Sequence, residues 1–430
     1  MPQKPGHPSR DPALDVLPGF QTPPPGYGEV AFYWWQAEPL TKERILWQLD
    51  QMAGWKISGL QVNYAHSDQG GLAWGLTYPS DPPLFSESWW ELYQWFQKEA
   101  ARRGISVSLS DYTLGWAGQG WFLDEILAEH PDIHGVTLES RREPLPPDGK
   151  PVWDEATLAL TVLSDSENPV LRVITVDHPQ SLNPMDPRAG AQLIAHFFQR
   201  FEDRLPGEAG KGLNYFFSDE LSFGVSGNLW DDRFAEEFLA RKGYDLVPEL
   251  PALFADLGPR TAKIRLDYRD VMVALEEENY FQPVYQWHED RGMIFGCDHG
   301  GRGKDVLEFG DYFRTQKWNQ APGNDNPHLE SDIIKNKVAS SISHLYERPR
   351  TWLEGFYGSG WGTSTGDLTD ALFRNFVMGH NMISLHGLYY STQGGWWEWA
   401  PPCNHFRMPY ARHMKPLLEM SERVSYLLSR

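Results

Sequence analysis

From residue 29 onward the apolar positions follow two rhythms, short β-branched or aromatic runs and longer stretches in which they return every three or four residues. The first marks strands and the second helices, and their regular alternation predicts successive βα units. Strands are expected at 30–35, 57–64 (ISGLQVNY), 105–109 (ISVSL), 213–217, 293–297, 307–310, 351–353 reaching Glu354, and 381–385. Helices are expected after a Thr41 cap, from Ser86 to Arg103 with Gly104 as the stop, and at 187–204, 231–242, 259–291, 331–346, 368–378 and 409–429. Eight strand slots separated by helices predict an α/β fold of the (β/α)8 TIM-barrel type. A doubly wound nucleotide-binding sheet would need a glycine-rich turn after its first strand, and Gly70-Gly71 lacks that spacing.

Two stretches leave this rhythm. Residues 1–28 carry Pro at 2, 5, 8, 12, 18, 23, 24 and 25, which predicts an extended arm ahead of a catalytic barrel at 29–430. Runs at 136–139, 158–163 and 171–176, separated by Pro, Gly and Asp turns, predict a small antiparallel β insertion at 134–176, after the third βα unit.

Composition narrows the partners. A net charge of −20 repels the phosphate backbone, so nucleic acid is excluded as a partner. No apolar run approaches the roughly 20 residues of a membrane span, and the amino terminus lacks the apolar core of a signal peptide, so no membrane partner and a cytoplasmic location are expected. The two cysteines, Cys297 and Cys403, have no metal-type spacing and form no disulfide framework. The 19 Trp exceed what one core needs. Trp47, Trp89, Trp90 and Trp95 lie at helix positions and are expected to pack, whereas Trp35, Trp116, Trp361, Trp396 and Trp397 lie at strand ends and loops.

In such a barrel the site forms at the carboxyl ends of the strands. Polar and aromatic residues there are Trp34 and Trp35, Asn63 and Tyr64, Asp111, Asp219 and Glu220, Asp298 and His299, Asp311, Glu354 with Tyr357, and His386. Carboxylates and imidazoles can hydrogen-bond hydroxyls while indoles stack on the C–H faces of a pyranose, so the pattern points to an oligosaccharide or other glycoside as ligand. Glu220 and Glu354 are 134 residues apart in sequence, yet the fourth and seventh strands of a barrel face one another across its mouth. Two opposed carboxyls can act as acid and base on a glycosidic bond. The aromatic flank of Glu220 and its neighbour Asp219 favour the acid role. A separation of roughly 6.5–9.5 Å would mean inversion, and one of about 5–5.5 Å retention with Glu354 as nucleophile. His299 and His386 are expected to bind substrate rather than metal, since neither lies in a His-x-x-His pattern, although metal-assisted hydrolysis through Asp298, His299 and Asp311 is a third chemistry open to the chain. Glu276-Glu277-Glu278 is expected to be a solvated helix face. A catalytically weak carbohydrate-binding barrel is the alternative from a different class.

The blocks AFYWWQAEPLTKERILWQLDQMAGWKISGLQVNY, YFFSDELSF with RKGYDLVPELPALF, and KNKVASSISHLYERPRTWLEGFYGSGWGTSTGDL with HNMISLHGLYY resemble the barrel of glycoside hydrolase family 106, the α-L-rhamnosidases, over nearly all of residues 29–428. The resemblance implies an inverting, exo-acting glycosidase with Glu220 as general acid and Glu354 as general base. It implies no cofactor for the chemistry itself, and a possible Ca2+ ion near the sugar.

Overall fold

The structure is a computed structural model that describes residues 16–66, 78–110, 121–164, 167–393 and 400–429. Its parallel strands form two arcs. One contains β1 (Val30–Trp35), β2 (Gly59–Tyr64) and β3 (Ser106–Leu109), and the other β7 (Tyr215–Leu221), β8 (Ile294–His299), β9 (Ala321–Asn326), β10 (Trp352–Gly355) and β11 (Met382–Leu385). The arcs meet on one side through isolated parallel bridges, Val107 with Leu213 and Ser110 with Phe217. On the other side the chain leaves β11 and, two residues later, adds β12 (Leu388–Tyr389) in parallel to β1. Between β3 and β7 in sequence, β4 (His134–Glu143), β5 (Thr157–Val162) and β6 (Val170–Leu182) form an antiparallel sheet in the order β4-β6-β5, with β4 and β6 extending past the apolar runs that mark them in the sequence.

Side-chain alternation along the parallel strands separates two cores. Tyr33, Trp35, Leu60, Val62, Phe216 and Leu353 face the helices. Phe32, Trp34, Tyr215, Phe217 and Trp352 form a second cluster enclosed by the strands. This inner cluster is aromatic because its floor is glycine: a Cβ at Gly59 would lie 1.5 Å from the Tyr215 hydroxyl, and one at Gly323 would lie 2.4 Å from the Trp352 ring. Large rings therefore pack directly on bare backbone at these two positions.

Local signals hold for most helices. Thr41 and Ser86 cap Lys42–Gly54 and Glu87–Arg102 through their side-chain oxygens, and Gly104 follows the second helix at φ +74°. Two expected long helices contain π-helical turns, at Ile194–Phe198 and Glu277–Phe281.

Three expectations need correction. The sixth strand is not at 307–310, where Glu308–Gly310 is a short 3-10 turn; it is Ala321–Asn326, whose sequence APGNDN has no apolar alternation because Asn324 and Asn326 face a polar network on the helices. The stretch 1–28 is not extended throughout, since Val16–Gln21 is helical. Pro18 falls in its first turn, where a missing N–H costs no hydrogen bond, and Gly19 lies so close to Tyr426 of the last helix that a Cβ would overlap it. Trp47 does not pack under a helix: it is 53% exposed, edge-on to Phe406.

Candidate active site

At the carboxyl ends of the parallel strands the inward positions are Trp34, Asn63, Asp298, Asp325, Glu354 and His386. Strict alternation would send Asp219 and Glu220 to opposite faces. A register irregularity between Ser218 and Leu221 prevents this, with Glu220 at φ +50°, a region that non-glycine residues rarely occupy. The Glu220 N–H donates to Asp298 Oδ1 at 2.9 Å, fixing the unusual turn and holding the Glu220 side chain on the mouth side.

Five carboxyl groups converge there, and cations from the following loops and helices meet them. Arg302 pairs with Glu220 through one guanidinium nitrogen, while its Nε lies 2.6 Å from Asp325 Oδ1 and 3.4 Å from Asp298 Oδ2. Lys335 Nζ lies 2.6 Å from Asp325 Oδ1, and the Tyr357 hydroxyl donates to Asp325 Oδ2 at 3.0 Å. Two cations do not neutralise five acids, and the remaining charge shows in the proton affinities. Burial, then the negative charges of Asp325 and Asp298, holds Glu354 well above the ordinary carboxyl range. Burial with Glu354 and Asp298 does the same for Asp219. Asp298 is pushed up to about 6 by burial, against the pull of Arg302. Asp219 Oδ1, Asn63 Oδ1, both polar atoms of Gln61 and His386 Nδ1 have no hydrogen-bond partner among the described residues. Buried groups left with free hydrogen-bonding capacity are unusual, and these sit at inward-facing positions of the strands or just beyond their ends. His386 accepts from Trp34 Nε1 at 3.2 Å, and burial lowers its pKa to about 3, so it is a neutral ring.

The same sequence region matches a known family. Residues 181–428, more than half of the chain, match the model of glycoside hydrolase family 106, described as alpha-L-rhamnosidase. This chain belongs to glycoside hydrolase family 106. The fold of this family-106 chain is similar to that of a rhamnosidase from Novosphingobium sp. PP1Y, with a TM-score of 0.68 at 13% identity over 97% of this chain and 61% of that one. A beta-galactosidase from Bacillus circulans sp. alkalophilus is similar with a TM-score of 0.50 at 12% identity, over 91% of this chain and 56% of that one. The chain therefore spans about three-fifths of the length of these solved structures. No curated sequence matches it.

Arg302 and Lys335 lie against the inner carboxylate of Asp325, and among the described residues no three His, Cys, Asp or Glu are grouped to hold a metal ion. Asp111, expected at the third strand end, lies outside the described residues, as do Trp116, Trp396 and Trp397.

Of the remaining expected site residues, the structure brings together Asn63, Asp219, Glu220, Asp298, Glu354, Tyr357 and His386. It places four elsewhere. Trp35 is one residue out of phase and packs among Trp89, Tyr93 and Phe96 on the helix side, while Trp34 takes the inward place. His299 is out of phase in the same way: it lies between Phe281, Phe309 and Tyr312 with Nε2 3.2 Å from Thr315 Oγ1, and burial lowers its pKa to about 3. Asp311 caps the helix Tyr312–Gln316, its carboxylate accepting from the N–H groups of Phe313 and Arg314. Trp361 sits edge-on against His405 at 5.3 Å. Asp325 and Arg302 were not among the expected residues. Asp325 hides in the polar sixth strand, and the one signal for Arg302 was its position in the glycine-flanked loop GGRGK that follows Asp298.

Proposed function

We propose that the two arcs close into one (β/α)8 barrel and that this chain hydrolyses the terminal α-L-rhamnoside, or a similar sugar, of a glycan or glycoside. The observation that carries this reading is the convergence of Glu220 and Glu354 on one acid-rich, partly unsatisfied mouth in a family-106 chain. In the inverting reaction Glu354 takes a proton from water as the water oxygen bonds to the anomeric carbon. The glycosidic C–O bond breaks with its electron pair on the leaving oxygen, and Glu220 donates the proton that oxygen receives. Asp219, Asp298 and His386 offer hydrogen bonds to sugar hydroxyls, and Trp34 holds the His386 ring through its Nε1. Arg302 has to release Glu220 for that residue to donate.

One observation favours the reverse assignment. In the free protein Arg302 pairs with Glu220, whereas burial holds Glu354 well above the ordinary carboxyl range. A leaving group that needs no proton separates the two. With a dinitrophenyl glycoside, Glu220→Gln keeps most of the wild-type kcat while losing about 10²–10⁴-fold on an unactivated glycoside, and Glu354→Gln loses that factor on both. The opposite pattern reverses the roles, and near-normal activity of either variant on unactivated substrate removes the pair from the chemistry. Inversion is read from the anomer of the first product by NMR: a retained anomer makes Glu354 a nucleophile, and binding without any release of sugar makes the barrel a recognition module.

A further inference from the structure

A cavity of about 620 Å³ opens beside Glu220 and Arg302. The end of β7 and the segment that follows it (220–229), the helix Thr261–Glu276 and the loop after β8 (300–310) bound it. The volume falls within the range of small-molecule sites. Glu276, expected in the sequence to be solvated, lines this cavity instead: it is fully buried, and neither of its carboxyl oxygens has a hydrogen-bond partner among the described residues. It is the last residue before the π-helical turn Glu277–Phe281, and turns of this kind are frequent at functional sites. Burial and the neighbouring Glu277 raise its pKa well above the ordinary range, which favours the protonated form, able both to donate and to accept.

Ser226 and Asn228 add neutral polar groups to the lining, and Met272 and Phe309 add apolar surface. That mixture suits a polyol with C–H faces, and a hydroxyl both gives and takes hydrogen bonds as a protonated carboxyl does. Glu220 and Arg302 belong both to this lining and to the carboxyl cluster of the mouth, so the cavity adjoins the point at which a bond would break.

We propose that this cavity is the leaving-group subsite, holding the sugar on the reducing side of the scissile bond, with Glu276 as a hydrogen-bonding residue for its hydroxyls. The assignment rests on the reading of Glu220 and Glu354 given above. Two substrates with the same terminal sugar test it in the full chain: 4-nitrophenyl α-L-rhamnoside, whose small leaving group makes little use of the cavity, and rhamnosyl-hexose disaccharides. Glu276→Leu removes the polar contact. Ser226→Trp fills the space from an exposed position, so that a failure of the first variant to fold still leaves a test. Each variant lowers kcat/KM for the disaccharide about tenfold or more, chiefly through KM, and leaves the nitrophenyl substrate within about threefold of wild type. Equal losses on both substrates, or no loss on either, overturn the subsite. Turnover of neither substrate by the wild-type protein overturns the reading of the active site instead, so the two failures are distinguishable.

Discussion

Three consecutive residues of β9, Asn324, Asp325 and Asn326, enter two different polar networks that lie back to back. On the helix side, Asn324 and Asn326 both donate to Asn336 Oδ1, at 2.9 and 2.8 Å, and Asn326 also donates to Asn375 Oδ1 at 2.8 Å. Asn336 donates to the same Asn375 oxygen at 2.6 Å, and Asn375 passes its own donors to the carbonyls of Glu330 and Ala371. This network is uncharged, and Asn324 Oδ1 is its one oxygen without a partner among the described residues. On the inner side, Asp325 holds Lys335 and shares Arg302 with Glu220 and Asp298, and several oxygens there stay unpartnered among the described residues. Both regions are buried and come from the same strand. The difference is that one has its hydrogen bonds satisfied and so fixes the position of strand against helix, whereas the other keeps capacity that a substrate could use.

Exchanging the character of two neighbours breaks this comparison most sharply. Asn326→Asp places a carboxylate in the neutral network, where its oxygens face Asn336 and Asn375 with no cation, and should cost about 3–5 kcal/mol in denaturant unfolding. Asp325→Asn leaves Arg302 with Glu220 and Asp298 but takes the carboxylate from Lys335, and should cost about 1–2 kcal/mol, less than Asn326→Asp, while lowering kcat/KM by more than about 10²-fold. Equal stability losses would show that the two networks are both structural.

The pH dependence of stability is a second, smaller probe. The folded-state pKa of Asp298, about 6, lies above its ordinary value of 3.8. The folded protein therefore binds the extra proton between these values, and this contribution to stability is fully present below about pH 4 and lost as pH rises through about 6. Asp298→Asn should flatten that slope, measured as unfolding midpoint against pH. An unchanged slope would mean that the cluster's protons reside on Glu354 and Asp219 alone.

The order of strands and helices was legible in the sequence because most strands pack apolar side chains on at least one face, and Ser86, Thr41 and Gly104 punctuate the helices as their chemistry requires. The sixth strand was not legible for the reason that makes β9 informative: an alternation of Asn with Asp carries no hydrophobic period. Glu220 and Glu354 could be named because each ends an aromatic run, yet the bulge that turns Glu220 inward leaves no mark in composition. Arg302 is reached through loop geometry alone. The other misplacements, Trp35 and His299, share one physical cause. At a strand end two adjacent side chains point to opposite faces, and the sequence there supplies an aromatic or polar candidate for both.

That ambiguity yields the smallest and most local prediction. Trp34 and Trp35 are both nearly fully buried, but Trp34 donates to His386 inside the strands whereas the Trp35 ring lies 5.0 Å from Phe96 and 6.1 Å from Tyr93 on the helix side. Trp35→Phe should therefore lower stability by about 1–2 kcal/mol through lost packing and leave KM unchanged. Trp34→Phe removes the donor that holds the neutral His386 ring in orientation, so KM for a terminal rhamnoside should rise by about threefold to tenfold. Measured together by thermal unfolding and initial rates, the pair reports which face of β1 meets the substrate. A KM effect from Trp35, or its absence from Trp34, would place the sugar outside the mouth that Glu354 and His386 share.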